Sequence, residues 1–294
     1  MGETARSIKL AISGQQLGEE KSLEQILFIL NDFSISYIEL WTFNLIGAFR
    51  EYQCKDDNLK RTKEVLKSHG VNVACVTNGG AYDQKMGEHP TRYIESMKQT
   101  INAAKELGAD FVNCYAYHFA FGQKADITRL VKVMHPIVKY AEDMDVTIVL
   151  ENEAHDASGT PAGMLRILNA LESDRFRTNF DPTNYYQGNV EPFPYAYELL
   201  KKHITYVHVK NGCRFIPGTH PDYMKGASFA PPNDSNCICY TPIPDGAVNI
   251  EGFLARLRGD GYDGFCTLEP HVRTDELMDY YKVDVSYMKE KGLK

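Results

Sequence analysis

Val146–Glu153 reads VTIVLENE: five apolar or β-branched residues in a row, then Glu151, Asn152 and Glu153. The run is too short for a helix and shows no alternation, the mark of a strand buried on both faces in a parallel sheet. In a barrel of strands and helices, polar groups at the C-terminal tip of such a strand stand where active sites are built. Three later stretches share the form: Phe176–Asn184 (FRTNFDPTN), Ile204–Asn211 (ITYVHVKN) and Gly264–His271 (GFCTLEPH). Each ends an apolar segment with a group suited to metal binding or proton transfer: Asp181, His208 and Glu269.

Upstream, the same alternation runs back to the N-terminus. Strands are expected at Ile8–Ile12, Tyr37–Trp41, Val71–Thr77 and Ala109–Tyr115. Helices are expected at Leu23–Phe33, Asp57–His69, His89–Leu107 and Ile127–Met144, two of them stopped by Gly70 and Gly108. Downstream, helices at Pro161–Leu171, Pro194–His203, Ile250–Gly259 and Asp275–Lys289 complete the pattern. Eight strand–helix pairs without a break in composition predict an α/β fold: a single (β/α)8 TIM barrel over residues 1–294. An open doubly wound sheet is the alternative, but the turn after the first strand reads SGQQLG, not G-x-G-x-x-G. Residues 212–245, rich in Pro, Gly, Asn and Cys, form a long loop insertion between strands seven and eight. Structureless loops of that length are usually functional, which predicts a lid over the barrel mouth.

The net charge of −7 and pI of about 5.7 argue against nucleic acid as main partner, since such binding leans on cationic surface. No apolar run reaches membrane-spanning length, and the first residues, MGETARSIKL, lack the apolar segment of a secretory signal. Seven scattered cysteines, several inside apolar runs, fit reduced thiols in a cytoplasmic protein. Only Cys213, Cys237 and Cys239 with His220 resemble a cluster, and their spacing is not that of a structural zinc motif. A homo-oligomer is compatible with the sequence.

Each acid has a structural alternative. Asp181 before Pro182 also suits a helix N-cap. His208 suits a satisfied core histidine. Glu151 and Glu153 have the same parity, so alternation cannot choose between them. Glu269 in an apolar strand is hardest to explain structurally, because an unpaired buried carboxylate is costly. Three carboxylates with one imidazole suit Mn2+, Co2+ or Mg2+, with Zn2+ as a further option. At other strand tips Glu39, Trp41, Asn78, His118 and Lys210 are expected near the same mouth.

The order LEN, NFDPTN, HVKN and TLEPH resembles the xylose isomerase-like barrel superfamily, which includes ketose 3-epimerases, inosose dehydratases and, more distantly, endonuclease IV. That resemblance implies Glu151, Asp181, His208 and Glu269 as ligands of one divalent ion, with Glu151 and Glu269 moving a substrate proton. It also implies Arg214 as a substrate-binding residue. Asn184 stands where those epimerases carry a histidine that holds a substrate oxygen, and endonuclease IV likewise needs a histidine there. The implied activity is isomerisation or epimerisation of a small sugar or polyol through an enediolate. The alternative is a lyase, an inosose-type dehydratase or β-eliminase, with His118 or Lys210 as the acid for the leaving group. A non-catalytic sugar-binding barrel is the remaining option.

Overall fold

The computed structural model describes residues 7–46, 56–79, 90–116, 126–220 and 237–294. His118 and residues 221–236 of the insertion lie outside the described residues.

Eight parallel strands close into a barrel. In chain order they are β1 (Lys9–Ser13), β2 (Tyr37–Trp41), β3 (Asn72–Thr77), β4 (Phe111–Tyr115), β5 (Thr147–Glu151), β6 (Phe176–Phe180), β7 (Ile204–Val209) and β10 (Phe265–Leu268). Neighbours around the ring follow sequence order, and β10 closes on β1 with Leu10 opposite Cys266. Helices α1 (Leu23–Asp32), α2 (Asp56–His69), α3 (Pro90–Leu107), α4 (Ile127–Met144) and α5 (Pro161–Leu171) follow the first five strands. After β6 come two short helices, α6 (Pro182–Gln187) and α7 (Tyr197–Leu200). Helices α8 (Ile250–Gly259) and α9 (Leu277–Glu290) flank β10. No helix among the described residues is long and apolar enough to cross a membrane.

The side-chain period of two sorts each strand. Ile148 and Leu150 face outward into the large core between strands and helices, whereas Val149 points into the barrel. Inside, Ala11, Ala74, Cys75, Val149, Tyr206 and Phe265 fill the lower barrel, with Tyr37 and Phe111 packed against them. This apolar plug makes the interior a solid floor. The next inward residues up each strand are polar, and they form the site.

β6 stops at Phe180, because Asp181 caps α6, accepting from Thr183 N–H (2.8 Å) and Asn184 N–H (2.9 Å). Two local expectations differ from the structure. The helix expected at Pro194–His203 shortens to Tyr197–Leu200. Pro192 and Pro194 remove backbone donors ahead of it, and Phe193 has extended φ/ψ. The insertion is not structureless at its ends: β8 (Asn211–Arg214) and β9 (Ile238–Thr241) pair as an antiparallel hairpin.

Candidate metal centre

Glu151, Asp181, His208 and Glu269 converge at the C-terminal end of the barrel, all buried, with one ligand atom from each lying within 4.8 Å of the others. His208 is the hub. Its Nε2 lies 2.7 Å from Glu39 Oε2, and Glu39 Oε1 accepts from Thr77 Oγ1 at 2.8 Å. That leaves Nδ1 facing Glu151 Oε2 at 3.2 Å and Glu269 Oε2 at 3.3 Å. Burial alone would lower the imidazole pKa, but Glu151, Glu269 and Glu39 outweigh it and hold it well above the usual histidine range.

Asp181 serves two purposes at once. Oδ1 caps α6, while the buried Oδ2 pairs with Lys210 Nζ at 2.6 Å. Asn152 clamps its backbone from both sides, Oδ1 accepting from Asp181 N–H (2.8 Å) and Nδ2 donating to Asp181 O (2.9 Å). Burial raises the Asp181 pKa, with Lys210 pulling the other way. Lys210 Nζ also donates to Glu269 Oε2 at 2.8 Å. Burial would lower the lysine pKa, yet Asp181, Glu269 and Glu151 carry it well above the lysine range. For Glu269 burial acts upward, but His208 and Lys210 dominate and hold the carboxyl well below the usual range.

Glu151 is held by three amides. Asn184 Nδ2 donates to Oε1 (3.2 Å), and Asn113 and Asn179 donate to Oε2 (3.1 and 3.4 Å). The parity ambiguity resolves here. Glu151 is the last residue of β5 and joins the cluster, whereas Glu153 lies beyond the strand with its N–H on Ser158 Oγ. Burial and the neighbouring Glu151 still raise the Glu153 carboxyl well above its ordinary range.

The other expected residues divide. Glu39 joins the cluster through His208, and Lys210 through Asp181 and Glu269. Asn184 donates to Glu151 and to Asn152 O. Trp41 is fully buried with Nε1 donating to Ser13 Oγ (3.1 Å) and its ring beside Tyr115. Asn78 turns outward and bonds Ser96 of α3. Arg214 points to the end of α6, donating to Tyr186 O, Gln187 O and Asn189 Oδ1 and stacking on the Tyr186 ring. Residues that the motifs did not single out also contribute. Asn113 and Asn179 support Glu151; His271 Nε2 lies 3.3 Å from Glu269 Oε2; and Lys210 and Asp181 act electrostatically on the Tyr240 phenol. The inward parity of Asn113 and Asn179 was the available signal.

The donor set fits a divalent ion. His208 Nδ1 and Asp181 Oδ2 are buried among charged groups, Nδ1 beside the Glu151 and Glu269 carboxylates and Oδ2 beside the Lys210 ammonium, and an ion shared by the three carboxylates and the imidazole would complete both atoms. Glu151 and Glu269 Oε2 lie beside the same ring nitrogen, and Glu39 behind Nε2 is the carboxylate partner that metal-binding histidines commonly carry. Lys210 holds positive charge among the same oxygens.

Comparison with known proteins bears on the fold. The model of the family described as "Xylose isomerase-like TIM barrel" matches residues 29–291. No curated protein is similar in sequence. Among solved structures, the probable 3-DHS dehydratase AsbF of Bacillus anthracis superposes with a TM-score of 0.69 at 15% identity, covering 96% of this chain and 99% of that one. A zinc-bound IolI protein gives 0.67 at 19% identity, covering 97% and 95%. A D-tagatose 3-epimerase-like protein gives 0.67 at 18% identity, covering 96% and 100%. At such identities these likenesses show the fold.

Proposed function

The chain belongs to the xylose isomerase-like TIM barrel family, and we propose that it is a metal-dependent sugar isomerase or epimerase that moves a proton beside a carbonyl. One observation carries this: Glu151 and Glu269 approach the same nitrogen of one buried imidazole, at 3.2 and 3.3 Å, from the ends of β5 and β10, three strands apart around the barrel. Two carboxylates so placed can address two faces of a small molecule held between them. The solved relatives named as a dehydratase and an epimerase-like protein support chemistry of this class.

Glu151, Asp181, His208 and Glu269 would hold the ion. Bound there, it supplies Lewis acidity toward a carbonyl and a neighbouring hydroxyl, with Mn2+, Co2+, Mg2+ and Zn2+ all suited to the donors. The protein residues do the rest. Glu269, beside His208 and Lys210 at the barrel mouth, is the carboxylate placed to accept a proton from carbon. Glu151, fixed by Asn113, Asn179 and Asn184, is positioned to return one to the opposite face in an epimerase, or to the adjacent carbon in an isomerase. Glu39 holds His208 in place, and the apolar plug beneath excludes water from the floor.

The substrate in this account is an uncharged sugar or polyol. Lys210 is already matched by Asp181 and Glu269, and Arg214 by the end of α6, so neither is free to neutralise a phosphate. Residues 1–294 act as one barrel domain in a cytoplasmic enzyme, with 212–245 as a wall or lid at the mouth. Trp41, the last residue of β2, packs with Tyr115 and Phe43 above that floor.

A lyase is the second reading, and the position of Lys210 favours it: its ammonium stands in the cluster beside Asp181 and Glu269, where it can hydrogen-bond a leaving oxygen. Solvent-deuterium exchange into a panel of ketoses separates the two. An epimerase or isomerase incorporates carbon-bound deuterium and otherwise conserves the substrate's mass. A lyase releases water or a larger group and builds up an unsaturated product absorbing in the near ultraviolet. Full exchange in Glu269→Gln with the metal still bound defeats both.

A further inference from the structure

The β8–β9 hairpin carries a second group of reactive side chains that the acid cluster does not use. Cys213 and Cys239 stand opposite each other in its antiparallel register. Phe215 N–H donates to Cys237 O (3.0 Å), and hydrogen-bonded pairs alternate along such a ladder. Cys213 and Cys239, two residues along, are therefore again a hydrogen-bonded pair. Pairs of that kind hold their Cα atoms about 5.5 Å apart, inside the span of a disulfide. Both are free thiols, with Sγ atoms 3.4 Å apart. His220 Nε2 lies 3.8 Å from Cys213 Sγ.

Two chemistries fit two sulfurs and an imidazole: a thiophilic metal, or oxidation of the pair. The imidazole decides. Ile216 N–H donates to His220 Nδ1 at 3.0 Å, so the neutral ring carries its proton on Nε2 and points it at Cys213. A metal would need the lone pair of Nε2. The sulfurs are also closer than the roughly 3.8 Å that zinc–sulfur bonds of about 2.3 Å impose in a tetrahedral site. Exposure differs across the pair. Cys239 is fully buried, whereas Cys213 is partly open to solvent. Burial and the neighbouring Cys213 push the Cys239 thiol up to about 11, so it stays protonated while Cys213 meets the oxidant.

We propose that Cys213 and Cys239 form a redox-modification site at which a hydroperoxide converts two thiols into a cross-strand disulfide. The Cys213 sulfur attacks one peroxide oxygen; the O–O bond breaks, Cys213 becomes a sulfenic acid, and the other oxygen leaves as water or an alcohol with the thiol proton. The Cys239 sulfur then attacks the Cys213 sulfur. The S–O bond breaks, and hydroxide leaves as water with the Cys239 proton. Two thiols are oxidised and one peroxide is reduced, with His220 Nε2–H stabilising the Cys213 thiolate before the first step. Tyr240, next to Cys239, feels the charges of Lys210 and Asp181, so the bridge forms near the acid cluster.

The test treats the whole purified protein with hydrogen peroxide, alkylates residual thiols and maps the peptides by mass spectrometry. The expected product has lost two hydrogens, contains a peptide linking Cys213 to Cys239, and reverts with dithiothreitol. Cys239→Ser should leave a sulfenic acid on Cys213 that a dione probe traps, and His220→Gln should slow bridge formation several-fold. The proposal is overturned if Cys213 and Cys239 both stay alkylatable while other cysteines oxidise, or if His220→Gln oxidises at the wild-type rate. It is equally overturned if the protein as purified carries stoichiometric zinc that Cys213→Ser releases. Because the linked peptide is read in the wild-type protein, a variant that fails to fold does not remove the test.

Discussion

Glu39 and His208, 169 positions apart in sequence, meet inside the barrel with Oε2 2.7 Å from Nε2. The contact fixes which imidazole nitrogen faces Glu151 and Glu269. Glu39→Ala should leave Nε2 buried without its partner and let the ring rotate. Divalent metal affinity should fall roughly 10–100-fold, the usual cost of losing such a supporting carboxylate. Isothermal titration of the metal-free protein measures it; unchanged affinity would remove Glu39 from the centre.

Asn152 holds the Asp181 backbone through both its amide atoms. Asn152→Ala strands a buried N–H and a buried C=O, at about 1–3 kcal/mol. Urea unfolding of the metal-free protein should register that loss. Metal affinity should fall with it, because the Asp181 carboxylate shifts with its backbone.

Asp284 is not one of the cluster's ligand residues and gives a pH test of its own. Burial lifts its carboxyl from an ordinary 3.8 to about 7, although its Oδ1 accepts from Ile243 N–H at 2.7 Å. The folded state therefore prefers the protonated acid. Its contribution is fully present below about pH 3.8 and is lost as pH rises through about 7. Asp284→Asn keeps an acceptor for Ile243 without the titration. Wild-type stability relative to that variant should decline across this window and level off above it, as measured by denaturant unfolding at stepped pH.

The sequence disclosed the barrel and the four strand tips because both are local signals. Buried strands read as continuous apolar runs, and a polar group at the end of such a run is conspicuous. Asp181 shows that structural and functional explanations need not compete, since one oxygen caps α6 and the other faces the cluster. Partners from distant strands were not legible. Strand parity turns Asn113 and Asn179 inward but does not say that they support Glu151, and the pairing of residues 211–214 with 238–241 spans an insertion without periodicity. The resemblance that implies Arg214 gives its position along the chain but not its direction. Its guanidinium donates to the carbonyls of Tyr186 and Gln187 at the end of α6.

The central claim is that Glu151, Asp181, His208 and Glu269 form one divalent metal centre. The most direct measurement is Co2+ titration of the metal-free protein, followed by visible absorption and elemental analysis, with Asp181→Ala and Glu269→Gln beside the wild type and circular dichroism to verify each fold. The account predicts one ion per wild-type chain and loss or marked weakening of binding in both variants, with the barrel intact. A folded Asp181→Ala protein that binds one Co2+ with wild-type affinity and an unchanged spectrum would contradict it.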